Sequence, residues 1–249
     1  MTDLLTGLRK TFSLKSNLCD IMSLKPITKI LMAIMLIAEG SVFICGKNYS
    51  FMGWIGLFTG IATVMNLILV DQGRLTNYSW GILSCAVWLI VAFNNHLIGD
   101  ICSQTFYLVM QFLGISIWHR NMKHQTDSTE IKPKKMSWQK EILVIVGIIS
   151  MYFVVLATSK ALHGTQIYLD ATLLPLGIAG QFLMTYGYKF QWVIWIIDDI
   201  VNCTIWFIQL ARGGAGAITM FMLQVIMLFN AFYGMYYWFK KAKVTETLS

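Results

Sequence analysis

The chain has 249 residues, of which 57% are hydrophobic and only 12% charged. A soluble domain of this composition lacks the polar surface needed to cover its outside, so water-soluble enzymes and nucleic-acid-binding domains are excluded. The formal net charge of +7 then needs an explanation other than a basic nucleic-acid face.

Residues 1–27 carry basic and polar groups and read as a cytoplasmic N-terminal segment. Beyond them the apolar residues come in blocks of about 20, the length a helix needs to cross a hydrocarbon core of about 30 Å. Eight blocks are expected to span: 28–46, 50–70, 77–94, 99–118, 141–159, 169–187, 191–211 and 216–238. The first runs into AEGSVFICGKN without an A-x-A site, so it is expected to remain as a helix and not be cleaved as a signal. Barrel-type alternation is absent, and helices are the other way to satisfy a backbone in lipid. The fold class is therefore all-α integral membrane. With the N-terminus inside, all but three of the 19 basic residues fall in cytoplasmic segments, the exceptions being Lys47, Lys160 and Arg212. The positive charge is thus accounted for by topology, and an even number of spans puts both termini in the cytoplasm.

An internal repeat organises the chain. Phe112-Leu-Gly114-Ile-Ser-Ile-Trp118 closes the fourth span and Phe232-Tyr-Gly234-Met-Tyr-Tyr-Trp238 closes the eighth, both as F-x-G-x-x-x-W; Gly60-Ile-Ala62 is answered by Gly177-Ile-Ala179. The offsets, 120 and 117 residues, nearly agree. Spans two to four (50–118) should match spans six to eight (169–238). A basic cytoplasmic loop (119–140) and a linker helix (141–159) join them, with an extra first helix (28–46) before and a cytoplasmic tail (239–249) after. This 1 + 3 + 1 + 3 order makes two parallel three-helix repeats, whose inward stripes should carry a site near the midplane.

Taken in chain order, Glu39 lies in the extra first helix and is expected to have a local partner. In the third span Asn77, Gly81, Ser84 and Trp88 share a face, while Tyr78 and Trp80 near the cytoplasmic edge read as interfacial anchors. The fourth span presents Gln104, Tyr107, Gln111, Gly114 and Trp118 at steps of 3 and 4, a stripe suited to hydrogen-bonding a polar ligand or to gluing helices together. In the seventh, Trp192, Trp195, Asp199, Asn202 and Trp206 lie on one face, and Asp198 is turned away by about 100°. An ionisable residue at membrane depth costs roughly 2.5–3.5 kcal/mol, so Asp199 should face a cavity or a cation. Indoles flanking a carboxylate suit a flat cationic ring. Trp192, near the start of its span, also fits an interfacial anchor. Asp198 is expected to pair with a neighbouring helix. Asn66, Gln181, Thr185, Gln224 and Asn230 fit packing as well as they fit ligand contact. The five cysteines form no CxxC pair, and His96, His119, His124 and His163 fall in loops or at helix ends, so neither a metal nor another cofactor is expected.

The N-Y-S-W-G run at 77–81, the pattern Q-x2-Y-x3-Q-x2-G-x3-W from Gln104 to Trp118, and W-x-x-W at Trp192 and Trp195 together resemble the PnuC family of bacterial vitamin transporters, over about residues 50–240. The resemblance implies a 3 + 1 + 3 core laid out like that of the SWEET sugar transporters. It also implies facilitated diffusion of an unphosphorylated vitamin, typically nicotinamide riboside, across the inner membrane, followed by trapping by a cytoplasmic kinase. Trp192, Trp195, Asp199, Asn202 and Gln104 are the positions it marks for substrate. Tyr107 and Gln111 join them from the fourth-span stripe, with Asn77, Ser84, Trp88, Trp206 and Gln224 as secondary candidates.

Thiamine, another cation with an aromatic ring, would suit the same stripe. A membrane-embedded Mg²⁺-dependent enzyme is suggested by Asp198-Asp199-x-x-Asn202 but lacks a second acidic cluster and basic groups for phosphate. A neutral sugar gives the carboxylate no role, and proton coupling through the aspartates is a further alternative. Whether the chain forms a homo-oligomer is open at this stage.

Overall fold

The computed structural model describes residues 2–47, 49–94, 98–125, 129–161, 167–213 and 217–247. These form ten α-helices: α1 (Thr2–Thr11), α2 (Leu14–Met22), α3 (Pro26–Gly46), α4 (Phe51–Asp71), α5 (Asn77–Asn94), α6 (Ile98–His124), α7 (Trp138–Ala161), α8 (Ile167–Tyr186), α9 (Gln191–Ala211) and α10 (Ala217–Thr247). Two isolated bridges, Arg74 with Glu130 and Lys134 with Tyr188, are the β-type pairings among the described residues. Five helices there are long and apolar enough to cross a bilayer: Pro26–Gly46, Gly53–Asp71, Trp138–Ala161, Ile167–Tyr186 and Gln191–Ala211. The protein is an all-helical membrane protein.

Helices α3 and α7 leave most of their apolar side chains uncovered, among them Ile27, Ile30, Ile34 and Ile37 on α3 and Leu143, Val146, Phe153 and Val154 on α7. In water this arrangement would be costly, and in hydrocarbon it is the expected exterior.

Two elements were not expected. The N-terminal segment forms two helices, α1 and α2, too short to register as apolar blocks. Ser13 caps α2 by accepting a hydrogen bond from the Ser16 N–H at 3.4 Å. Helices α6 and α10 also run past the expected span ends, to His124 and Thr247, because no Gly or Pro stops them where the apolar run ends.

The chain divides into two compact units, Met1–Lys132 with Thr185–Gly187, and Pro133–Met184 with Tyr188–Ser249. In the first, α3 packs on α4, α4 on α5, α5 on α6, and α1 on α6. Its buried side chains include Ile68, Leu69, Tyr78, Ile115 and Trp118. In the second, α9 packs on α10, and Met136, Leu176, Leu183 and Ile194 form an apolar cluster.

The same turn enters α5 and α9. After α4, Gly73 adopts φ +66°, and the Arg74 N–H reaches back to the Leu69 carbonyl at 2.9 Å. After α8, Gly187 adopts φ +75°, and the Tyr188 N–H reaches the Leu183 carbonyl, also at 2.9 Å. This is the Schellman C-cap, in which glycine takes the left-handed conformation that a Cβ would penalise. Single-turn bonds then start the next helix in register: Asn77, Tyr78 and Ser79 donate to Arg74, Leu75 and Thr76, as Gln191, Trp192 and Val193 donate to Tyr188, Lys189 and Phe190. The two turns thus share their backbone hydrogen bonds and their left-handed glycine.

Candidate functional site

The F-x-G-x-x-x-W motifs receive an aromatic ring from the preceding helix of the opening turn. In the first unit the Tyr78 ring lies over Gly114, where a Cβ would sit 2.3 Å from it, and meets Trp118 edge-on with centroids 5.0 Å apart. In the second unit Trp192 lies over Gly234, again at 2.3 Å from a would-be Cβ, and meets Trp238 edge-on at 6.1 Å. Tyr78 and Trp192 are almost completely buried. Neither is therefore the interfacial anchor that its position near a helix end suggests, because the missing Cβ opens a slot in the neighbouring helix that a ring fills. Trp80, the other expected anchor, is also tied to protein, its indole N–H donating to Asn17 Oδ1 at 3.0 Å.

On α9, Trp195 is half-buried and lies against Gly180 of α8, a would-be Cβ there falling 2.8 Å from the indole. One turn on, Asp199 is 5% exposed inside an apolar helix that contains no Lys or Arg. Asn202 does not stay with that face. Its amide donates to the Asp198 carbonyl at 3.2 Å and to Asp198 Oδ2 at 3.3 Å. Asp198 Oδ2 thus finds its partner one turn along its own helix, as an (i, i+4) pair permits, and not on the neighbouring helix expected; Oδ1 is buried with no hydrogen-bond partner among the described residues. Trp206 and Gln224 are half-buried.

In the first unit, Gln111 is buried against Gly81 of α5, its carboxamide 2.7 Å from a would-be Cβ, with Oε1 lacking a hydrogen-bond partner among the described residues. Gln104 and Tyr107 are half-buried on the same helix, and Trp88 is half-buried on α5. Ser84 shares a hydrogen bond with Thr63 at 2.8 Å. Asn77 is fully buried and serves the turn, its amide donating to the Arg74 carbonyl and its own carbonyl accepting from Asn66 at 2.9 Å. Glu39 of α3 rests its carboxylate against Gly60 of α4. His96 and His163 lie outside the described residues. His119 sits within α6, its Nε2 3.3 Å from Thr6 Oγ1, and not in a loop.

One residue escaped the sequence reading. Gln191, the first residue of α9, is fully buried, and neither its amide nitrogen nor its oxygen has a hydrogen-bond partner among the described residues. An unsatisfied buried amide costs roughly 1–3 kcal/mol and calls for an explanation. Its signal was available: it precedes Trp192 as Asn77 precedes Tyr78.

On α9 a buried carboxylate thus lies one turn from a half-buried indole, groups whose chemistry suits a cationic ring. The chain's relatives accord with that. Residues 53–240 match the family model described as nicotinamide mononucleotide transporter. The chain is 24% identical over 226 residues to the nicotinamide riboside transporter PnuC of Haemophilus influenzae, covering 89% of this chain and 93% of that one. To the transporter of the same name from Neisseria mucosa it is 23% identical over 193 residues, 76% of this chain and 73% of the relative. Its fold is similar to that in the crystal structure of the vitamin B3 transporter PnuC, with a TM-score of 0.71 at 22% identity, covering 88% of this chain and 93% of that one. All-helical architecture, apolar spans and a family match running from α4 to α10 lead to one assignment: the chain belongs to the nicotinamide mononucleotide transporter family, whose relatives bear the name PnuC, and is a transporter and not an enzyme.

Proposed function

We propose that this protein takes up nicotinamide riboside by facilitated diffusion, with Trp192, Trp195, Asp199 and Gln191 on α9 and Gln104, Tyr107 and Gln111 on α6 serving the substrate. The observation that carries the reading is Asp199, a carboxylate 5% exposed in an apolar span, one turn from Trp195. The pyridinium of nicotinamide riboside supplies the cation and the ring, its carboxamide and ribose the hydrogen-bonding groups. The family's name points to the mononucleotide and the relatives' names to the riboside. Residue chemistry favours the riboside, because α9 and the stretch 77–118 contain no Lys or Arg to neutralise a phosphate. Trapping by a cytoplasmic kinase would make uptake directional.

The same proposal takes α3 to α10 as eight spans in the order 1 + 3 + 1 + 3, with both termini in the cytoplasm of a bacterial inner membrane. The distribution of Lys and Arg supports it. So do the paired Schellman turns and the paired glycine slots.

Calorimetric titration of the purified protein with nicotinamide riboside, nicotinamide mononucleotide and thiamine tests the assignment. Binding is expected for the riboside and not for the phosphate. Thiamine is the second reading, since it too pairs a positive charge with an aromatic ring, and binding of thiamine alone would replace the first.

A further inference from the structure

Helix α2 is inside-out with respect to its own protein. Its polar side chains point inward: Asn17 donates to the carbonyls of Thr11 and Ser13 at 2.9 and 3.0 Å and accepts from Trp80 and Ser79. Asp20 accepts from Thr76 Oγ1 at 2.7 Å and lies 3.7 Å from the Arg74 guanidinium. The opposite stripe, Leu14, Leu18 and Met22 at steps of four, is 75%, 51% and 75% exposed. Together with Lys15, Cys19 and Ser23 these side chains line an open hollow. Helix α1 sets Gly7 against Ile115 and His119 of α6, while Leu5 and, just past its end, Phe12 stand exposed beside Arg9 and Lys10.

In water such a helix would turn its leucines inward and its Asn and Asp outward. We infer that α1 and α2 lie in the membrane–water interface, with Leu14, Leu18 and Met22 seated among acyl chains and the flanking cations on anionic lipid headgroups. Two observations name this occupant over a second copy of the chain or a soluble protein. The first is continuity. Met22 is four residues from Pro26, where α3 begins, and the Met22 carbonyl accepts a hydrogen bond from Lys29 at 2.7 Å, so the stripe ends beside a span whose Ile27 and Ile30 already face outward. The second is charge. Arg9, Lys10, Lys15, Lys25 and Lys29 are all exposed, against Asp3 and Asp20 as the acids of this stretch, and Asp20 is taken up by Thr76 and Arg74. An apolar stripe with basic flanks is the pattern of an interfacial amphipathic helix that prefers anionic leaflets. Its polar anchors reach the turn between α4 and α5, so the lipid surface would be coupled to the entry of α5 through Thr76, Ser79 and Trp80.

The test uses the unmodified protein in vesicles containing a phospholipid with a photoreactive acyl chain, in a matrix of phosphatidylcholine alone or mixed with phosphatidylglycerol. After illumination, proteolysis and mass spectrometry, lipid adducts are expected on the peptide holding Leu18 and Met22, with a yield several-fold higher in the anionic vesicles. A K10Q/K15Q variant should lose most of that difference. Adducts on α3 and α7 peptides with none on α2 would overturn the proposal, as would α2-to-α2 protein cross-links in place of lipid adducts. Equal yields in both vesicle types would overturn the headgroup assignment.

Discussion

Asp198 and Asp199 are adjacent in sequence, but the surroundings of α9 separate them: the first is held by Asn202 of the next turn, and the second is buried beside no basic residue of its own helix. Removing one indole contact of about 0.5–2 kcal/mol should weaken riboside binding in Trp195→Ala by up to about 30-fold in calorimetry, with the fold intact. Asp199→Asn keeps the shape and drops the charge, so the loss should fall on cationic ligands and spare a neutral nucleoside. Equal losses for both would remove the charge role. Outside the membrane, burial raises the Asp20 carboxyl above its ordinary value of 3.8, opposed by the Thr76 hydrogen bond and the charges of Arg74 and Lys10. The native state then holds that proton more tightly than the unfolded chain, so this stabilisation is full below the unfolded value and is lost as pH rises through the folded one. The margin in melting temperature of wild type over Asp20→Asn should therefore narrow as pH rises across that window. A widening margin would mean that the pair with Arg74 outweighs burial.

Among the elements, the paired slots are the most exacting contacts. A methyl group added at Gly114 or Gly234 meets a buried ring at 2.3 Å, with no flexible side-chain end to move aside. Gly114→Ala and Gly234→Ala should each destabilise by about 1–3 kcal/mol, the usual penalty of overpacking. Gly147→Ala on α7, which has nothing within 4 Å, should be neutral or slightly stabilising in the same thermal assay. The glycine and tryptophan of these motifs were visible in the sequence as a repeat, but not their job, because the ring that fills each slot comes from residues 36 and 42 positions earlier, Tyr78 and Trp192. Helices α1 and α2 were missed because they have only 10 and 9 residues, so a search for long apolar blocks passes over them, and α2 moreover turns its leucines out and Asn17 and Asp20 in.

For the whole molecule, facilitated diffusion predicts that vesicles holding the purified protein take up labelled riboside down its concentration gradient with no ion gradient and no Mg²⁺. Uptake that requires a proton gradient would turn Asp199 from the proposed substrate contact into a coupling group. Sequence alone determined that this is a helical membrane protein, where its long helices lie and which family it belongs to, because a bilayer demands apolar runs of about 20 residues and the family's aromatic and amide spacings are local to single helices. Tertiary structure decided what spacing cannot reach. It sent Trp192 and Tyr78 into glycine slots instead of the interface, gave Asn202 to Asp198, left Gln191 buried with no side-chain hydrogen-bond partner among the described residues and turned the polar face of α2 inward. Helical periodicity says which residues share a face, but only packing against other elements decides which faces are covered and by what.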